Sequence, residues 1–514
     1  MMESNKSANK RIARNTIALF VRSILSMAIT LYTSRVILHV LGIIDFGIYT
    51  VIAGMVGMLT MFTGTIAHAV SRFLSYALGK NDYNEVQKVY SASMNIIILV
   101  LVIVVVLAET IGLYFLNKHL NIPHDRLIAA NWVYQAVVVS FSLQTLNIAN
   151  NASIIAFEKM SFFAYMGIFD AVTKLMIVWG LYLCPYDKLI LYSLLLCCQQ
   201  LFMIVVYMIY VKRNLANCSY RFGLYKDIFS RLFSFIGWTF ISSVTFIAKN
   251  QGVDLLLNLY FGPVVNAAKG ISAQVQNATS QLGTNFLTAI SPQVTKSYAN
   301  SEYQVMLNLV FKGIRFSSYL LLLLMLPIIF NVDFILHLWL VEVPENASIF
   351  VVLALGFCVF ETCSLPLHYG IMASGKIRNY QLGTSFIQLL NLPVSFLCLW
   401  LGGKPYIVML IAILFAMALL LWRVIFLRRL VHFSYVDFLK KVCIRIFFVV
   451  LIVVAIDCLI RVHVESIFLL IKSVLVISFI NMITIYVIGL QTSERNLINN
   501  KIKYNVVKFC KYNK

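Results

Sequence analysis

The sequence predicts an all-α polytopic membrane protein of about 14 transmembrane helices. They form two six-helix bundles in a parallel pseudo-two-fold repeat, with two extra C-terminal helices. Three observations predict this. Of 514 residues, 61% are apolar and only 12% are charged, with a mean hydropathy of +0.87; a chain so composed cannot clothe a water-facing surface in polar groups. Apolar runs long enough to cross a bilayer recur along its whole length. The chain also aligns with itself when shifted by 220 residues. The composition excludes a soluble enzyme, a nucleic-acid-binding protein and a disordered chain as overall descriptions.

The first run, 15–40, follows Lys6, Lys10, Arg11 and Arg14. It is too long for the apolar segment of a signal peptide, and no small-residue cleavage site closes it, so it reads as the first span. The other spans are expected at 46–69, 92–116, 127–148, 162–182, 189–210, 232–255, 264–290, 316–332, 348–370, 379–400, 407–427, 446–460 and 467–490. Residues 1–14 form a terminal segment, 15–210 and 232–427 the two bundles, 211–231 the linker, 428–490 the two added helices and 491–514 a basic tail. Of the 41 basic residues, 29 fall on the side of the termini and 5 on the other. That bias places both termini in the cytoplasm. It also assigns the net charge of +21 to orientation and not to nucleic acid. The tail lysines Lys501, Lys503, Lys508, Lys511 and Lys514 suit anionic membrane lipids, and equally a solubilising end.

In the self-alignment Gly42 falls on Gly262, Asp82 on Glu302 and Tyr83 on Tyr303; at a later shift of 217, Ala156 falls on Ala373 and Lys159 on Lys376. Six spans per repeat preserve the chain direction, which is the plan of an alternating-access transporter.

Polar groups recur where lipid would not tolerate them. In the eighth span Asn266, Gly270, Gln274, Asn277, Gln281, Thr284 and Thr288 share one helical face, with Lys269 at its edge. In the seventh, Trp238, Ser242, Thr245, Lys249 and Gly252 do the same, and Asp254 points elsewhere. Arg22 and Arg35 lie in the first span. Asp170 and Lys174 are i,i+4 neighbours set to neutralise each other. Glu109, Glu361 and Asp457 are lone acids, and His68 and His368 read as core histidines. Gly54, Gly57 and Gly64 suggest close helix contact. Arg22, Arg35, Lys249 and Lys269 are the candidates for holding an anionic ligand, because guanidinium and ammonium groups bind phosphate. Gln274, Asn277 and Gln281 are the candidates for hydroxyls. Asp254 and Glu361 are the candidates for H⁺ or Na⁺ coupling.

No phosphate-cradling GxxxxGK[ST], HExxH, GxSxG or DxD motif occurs, nor any Cys/His metal spacing. No cofactor is expected, and a transporter, not an enzyme.

Asn15-Thr16, Arg22, Leu31-Tyr32-Thr33-Ser34-Arg35-Val36, Leu41-Gly42 and Asp45-Phe46-Gly47-Ile48-Tyr49 resemble bacterial polysaccharide-export flippases. These belong to the multidrug/oligosaccharidyl-lipid/polysaccharide (MOP) transporter superfamily. Gly262-Pro263, Asn266-Ala267-Ala268-Lys269-Gly270 and Ser291-Pro292-Gln293 look like the corresponding second-half segments, so the resemblance covers about residues 10–490. It implies a fourteen-helix fold in the bacterial inner membrane. It also implies flipping of undecaprenyl-pyrophosphate-linked O-antigen or capsule repeat units to the periplasmic leaflet, with polysaccharide polymerase machinery as a partner. The alternatives are a lipid II flippase or a cation-coupled multidrug exporter of the same superfamily. Further off is a membrane glycosyltransferase or polymerase, which the short outer loops disfavour.

Overall fold

The computed structural model describes residues 60–118, 123–215, 218–223, 225–340, 343–460, 464–492 and 494–496, with part of the positions between 19 and 56 and position 499. The described residues contain helices and no strand. Ten of the helices are long and apolar enough to cross a membrane: Tyr83–Lys118, His124–Ala156, Met160–Leu183, Lys188–Asn214, Lys226–Phe261, Tyr303–Phe330, Ala347–Ser374, Arg378–Trp400, Ile407–Val431 and Ile467–Gly489. The difference from fourteen has physical causes. The described positions of the first two expected spans are helical, but many of their neighbours lie outside the described residues. The helix Pro263–Ala299 has length to spare at 37 residues and is too polar. Ile444–Ile460 has only 17 residues. The basic tail 501–514 and the segment 1–14 lie outside the described residues, and the charge bias there is not tested.

Helix starts follow side-chain caps where one is available. The Asp82 carboxylate accepts from the Glu85 N–H at 2.9 Å, and Asp187 accepts from Leu189 and Ile190 at 3.0 and 3.3 Å. The third expected span carries a π-turn at Ala108–Gly112. Tyr134 donates to the Ala108 carbonyl at 2.6 Å there, with its ring against Gly112, where a Cβ would collide with the hydroxyl. Gln135 donates to Glu109 at 3.0 Å beside it. The turn is thus bonded through two side chains of the neighbouring helix, which accounts for an acid at this depth.

The chain divides into two compact units. Unit one holds residues 1–247, 288–306 and 372–385; unit two holds 248–287, 307–371 and 386–514. In unit one Leu127–Leu146 packs on Lys188–Asn214, and Thr60–Gly79 packs on Ile148–Ala156. One core gathers Ile52, Val104, Ala130, Val133, Tyr134 and Leu189. In unit two Ile444–Ile460 packs on Ile467–Thr484.

The repeat is written in the backbone. Gly42 and Gly262 both take positive φ (75° and 79°), as do Asn81 and Ser301 (55° and 62°), each pair 220 residues apart. At the later shift of 217, Glu158 (59°) matches Gly375 (74°). The left-handed region is rare for side chains other than glycine, so these coincidences mark the same turns in both halves. By contrast, Gly54 and Gly64 meet nothing within 4 Å among the described residues, so the expected close helix contact is not made there. Gly57 lies outside the described residues.

The linker is strapped to the helix Tyr83–Leu107. Gln87 donates to the Ser219 hydroxyl at 2.9 Å, Ser91 accepts from the Arg221 N–H at 3.0 Å, and Asn95 accepts from Tyr220 at 2.9 Å. Those three residues recur every four positions, so one helical face reads the extended strap. The strap buries Cys218, whose thiol is pushed by burial up to about 11. At pH 7.5 the thiolate fraction is then well below one in a thousand. Maleimide labelling of Cys218 in the native protein, followed by mass spectrometry, is expected to be slow, and to become fast once the chain is denatured.

Candidate functional site

In unit one, Arg22 lies across the helix Met160–Gly180. Its guanidinium carbon sits 4.2 Å from the centre of the Phe163 ring. Its side chain occupies the notch left by Gly167: a Cβ there would lie 2.7 Å from the guanidinium carbon and 2.8 Å from Cδ. Asp170 and Tyr207 are within electrostatic reach. Phe163, Gly167, Asp170 and Lys174 are spaced 4, 3 and 4, so they share a helix face. Asp170 is already engaged. Lys174 Nζ donates to Oδ2 at 2.8 Å, and Gln199 Nε2 donates to Oδ1 at 2.9 Å and to the Thr173 hydroxyl at 2.9 Å. Among the described residues, no carboxylate stands within ion-pair distance of Arg22. Arg35 lies outside the described residues.

In unit two, Lys249 sits 5.6 Å from the Phe357 ring centre and within electrostatic reach of Glu361 and Lys269. Glu361 also feels Arg423, which donates to the Ser364 hydroxyl at 2.6 Å. Lys269 makes an ion pair with Asp254 at 2.5 Å, so these two candidates neutralise each other across the turn at Gly262. The stripe on Pro263–Ala299 is accessible. Gly270, Gln274, Asn277, Gln281 and Thr284 are exposed, whereas Val265, Ala268, Ser272, Thr279 and Leu287 are buried. No described residue bonds the side-chain amides of Gln274, Asn277 or Gln281. An accessible row of amides cannot lie against acyl chains, and so it faces water or a ligand. The seventh-span stripe differs, because packing uses it: Trp238 stacks under Arg378 at 5.4 Å, Thr245 donates to Ile241 at 2.8 Å, and Gly252 lies against Leu392.

Several polar groups escaped the sequence reading. Gln199, Arg423 and Ser364 are ordinary residues in apolar helices, and only the tertiary structure brings them to Asp170 and Glu361. Arg126 bridges Asp45 and Asp187, through Nε to Asp45 at 2.8 Å and Nη1 to Asp187 at 2.6 Å. Among the described residues, no group of three or more His, Cys, Asp or Glu side chains could hold a metal ion.

No protein-family model and no curated protein sequence matches the chain. Solved structures do. An outward-facing multidrug resistance MATE family transporter of the MOP superfamily matches with a TM-score of 0.69 at 11% identity, over 82% of this chain and 96% of that one. A MOP superfamily transporter from Pyrococcus furiosus, described as having a binding pocket of reverse polarity that suggests a different function, matches with a TM-score of 0.66 at 11% identity, over 82% and 96%. The MATE transporter ClbM in complex with Rb⁺ matches with a TM-score of 0.65 at 15% identity, over 84% and 97%. The chain therefore has the all-helical fold of the MATE transporters.

Proposed function

We propose that this protein is a lipid-linked oligosaccharide flippase, working by alternating access in the bacterial inner membrane with both termini cytoplasmic. The observation that carries the reading is Arg22, a guanidinium held on a membrane helix by a ring and a glycine notch, with no described acid paired to it. Such a group is costly in a bilayer unless an anion comes to it, and a pyrophosphate matches its bidentate fork. The exposed amides of Gln274, Asn277 and Gln281 suit sugar hydroxyls. Lys249 and Lys269 add positive charge, Lys269 after exchanging Asp254 for the ligand. Glu361, set between Lys249 and Arg423, is the acid placed to exchange a proton or Na⁺. Lipid II is a substrate of the same chemistry. The second reading, a cation-coupled drug exporter, is favoured by one observation, the multidrug MATE transporter among the fold's solved members.

The test is a leaflet assay. Proteoliposomes carrying a fluorescent undecaprenyl-pyrophosphate oligosaccharide are expected to lose signal from both leaflets to a membrane-impermeant quencher when the wild-type chain is present. With Arg22→Ala only the outer-leaflet half should be lost. Transport of cationic drugs with no movement of the lipid would overturn the flippase reading in favour of the exporter.

A further inference from the structure

We propose that Lys174 and Gln199 are specificity residues: by holding Asp170 they keep it off Arg22 and so keep the site selective for an anionic phosphate group. This deepens the flippase reading and rests on its assignment of Arg22.

The geometry sets up a competition for one carboxylate. Asp170 lies three residues beyond Gly167, about 4.5 Å of helical rise, and Arg22 crosses the helix at Gly167. An aspartate one turn from a guanidinium would ordinarily swing onto it and form a bidentate pair. Here both of its oxygens are taken, Oδ2 by Lys174 at 2.8 Å and Oδ1 by Gln199 at 2.9 Å. Gln199 is itself fixed, since its amide also donates to the Asp170 carbonyl at 3.2 Å and to Thr173 at 2.9 Å. Lys174 and Asp170 cancel, so the net charge left beside the ligand is that of Arg22. Phe163 covers one face of the guanidinium and Gly167 lets it lie flat, which leaves its edge for a phosphate. Without Lys174, Asp170 would be an unpaired carboxylate within reach of Arg22. The two would pair, and the site would lose its anion.

These roles are positional, since neither Lys174 nor Gln199 needs to touch the ligand. A purely structural Asp170–Lys174 pair makes a different prediction, because removing both partners would then do no better than removing one. The experiment is a calorimetric titration of the full chain in nanodiscs with inorganic pyrophosphate, with melting temperatures recorded for each variant. Arg22→Ala is expected to weaken binding by at least about tenfold. Lys174→Ala should weaken it by a similar factor, Asp170→Asn should bind as well as wild type or better, and the double variant Asp170→Asn/Lys174→Ala should return to within about threefold of wild type. Should Lys174→Ala fail to fold, Lys174→Gln carries the same comparison. If Arg22→Ala weakens binding while Lys174→Ala does not, or if the double variant stays as weak as Lys174→Ala, the specificity role is overturned and the anion site stands. If Arg22→Ala binds like wild type, both the site assignment and this inference fall together.

Discussion

Replacing Glu494 with Ala is expected to lower the melting temperature more than any other single change to a charged group in unit two. Arg315 is 1% exposed, and its Nη2 donates to Glu494 at 2.6 Å. Its Nε and Nη1 have no hydrogen-bond partner in the structure, so Glu494 is the acceptor that compensates its charge. Glu494 also caps the chain after the last span by accepting from the Gln491 N–H at 2.8 Å. The same segment is tied down by Tyr319, which donates to the Gly489 carbonyl at 2.9 Å, and by Arg445, which donates to Leu490 at 2.9 Å. Taking away the acid strands a buried guanidinium, a loss of about 3–5 kcal/mol. Replacing both partners with apolar side chains of similar volume, Arg315→Met with Glu494→Leu, removes the charge instead of stranding it and is expected to recover most of that loss. Thermal melting of the three variants in one detergent checks the order: wild type and the double variant close together, Glu494→Ala well below. A single variant as stable as wild type would show that Arg315 finds another acceptor.

The fold class was legible because lipid imposes one rule on every span. The lengths of the helices were not. The run 316–332 lies within a helix that begins at Tyr303, and 92–116 within one that begins at Tyr83. An apolar run marks only the part of a helix that lies in hydrocarbon, whereas backbone hydrogen bonding continues into the polar turns beyond it. Those extensions are readable from caps such as Asp82, a signal independent of hydropathy.

The site was legible where partners are near in sequence. Asp170 and Lys174 follow the i,i+4 rule, and their ion pair is present. Asp254 and Lys269 could have been paired by counting, since they stand eight residues before and seven after the turn at Gly262 and so come level on the two helices. The Arg22–Gly167 notch spans 145 residues, and nothing in either local sequence announces it. Glycine at 167 reads like any small residue in a span until the side chain that fills its place is known. The seventh-span stripe shows the converse. Its periodicity is real, yet Trp238, Thr245 and Gly252 are spent on packing, because a polar face can serve a neighbouring helix as well as a ligand.

Lys296→Glu is expected to disable the protein, and Glu158→Lys added to it to restore most of what is lost. Glu158 sits at positive φ in the turn between Ile148–Ala156 and Met160–Gly180, its side chain only 4% exposed. Lys296 donates to it at 2.7 Å and Gln293 at 3.1 Å, both from the second repeat. The second repeat's equivalent turn receives the reciprocal bond, since Arg72 of the first repeat donates to the Ala373 carbonyl at 2.7 Å. Gly375, the counterpart of Glu158, leaves room for that arginine; a Cβ there would lie 2.7 Å from Nη2. Each half thus holds the other's turn, once through a carboxylate and once through a carbonyl. Between the two bonds Gly79 meets Lys296 so closely that a Cβ would lie 2.7 Å from its Cα. Lys296→Glu puts two acids face to face at a buried position with no room to part, and should cost about 3–5 kcal/mol. The charge-swapped pair restores opposite signs at the same separation, with Gln293 turning its amide oxygen to the new ammonium. Melting temperature and transport measured on the single and swapped variants read the coupling directly. A double variant no better than Lys296→Glu alone would mean that the ammonium is held by groups other than Glu158.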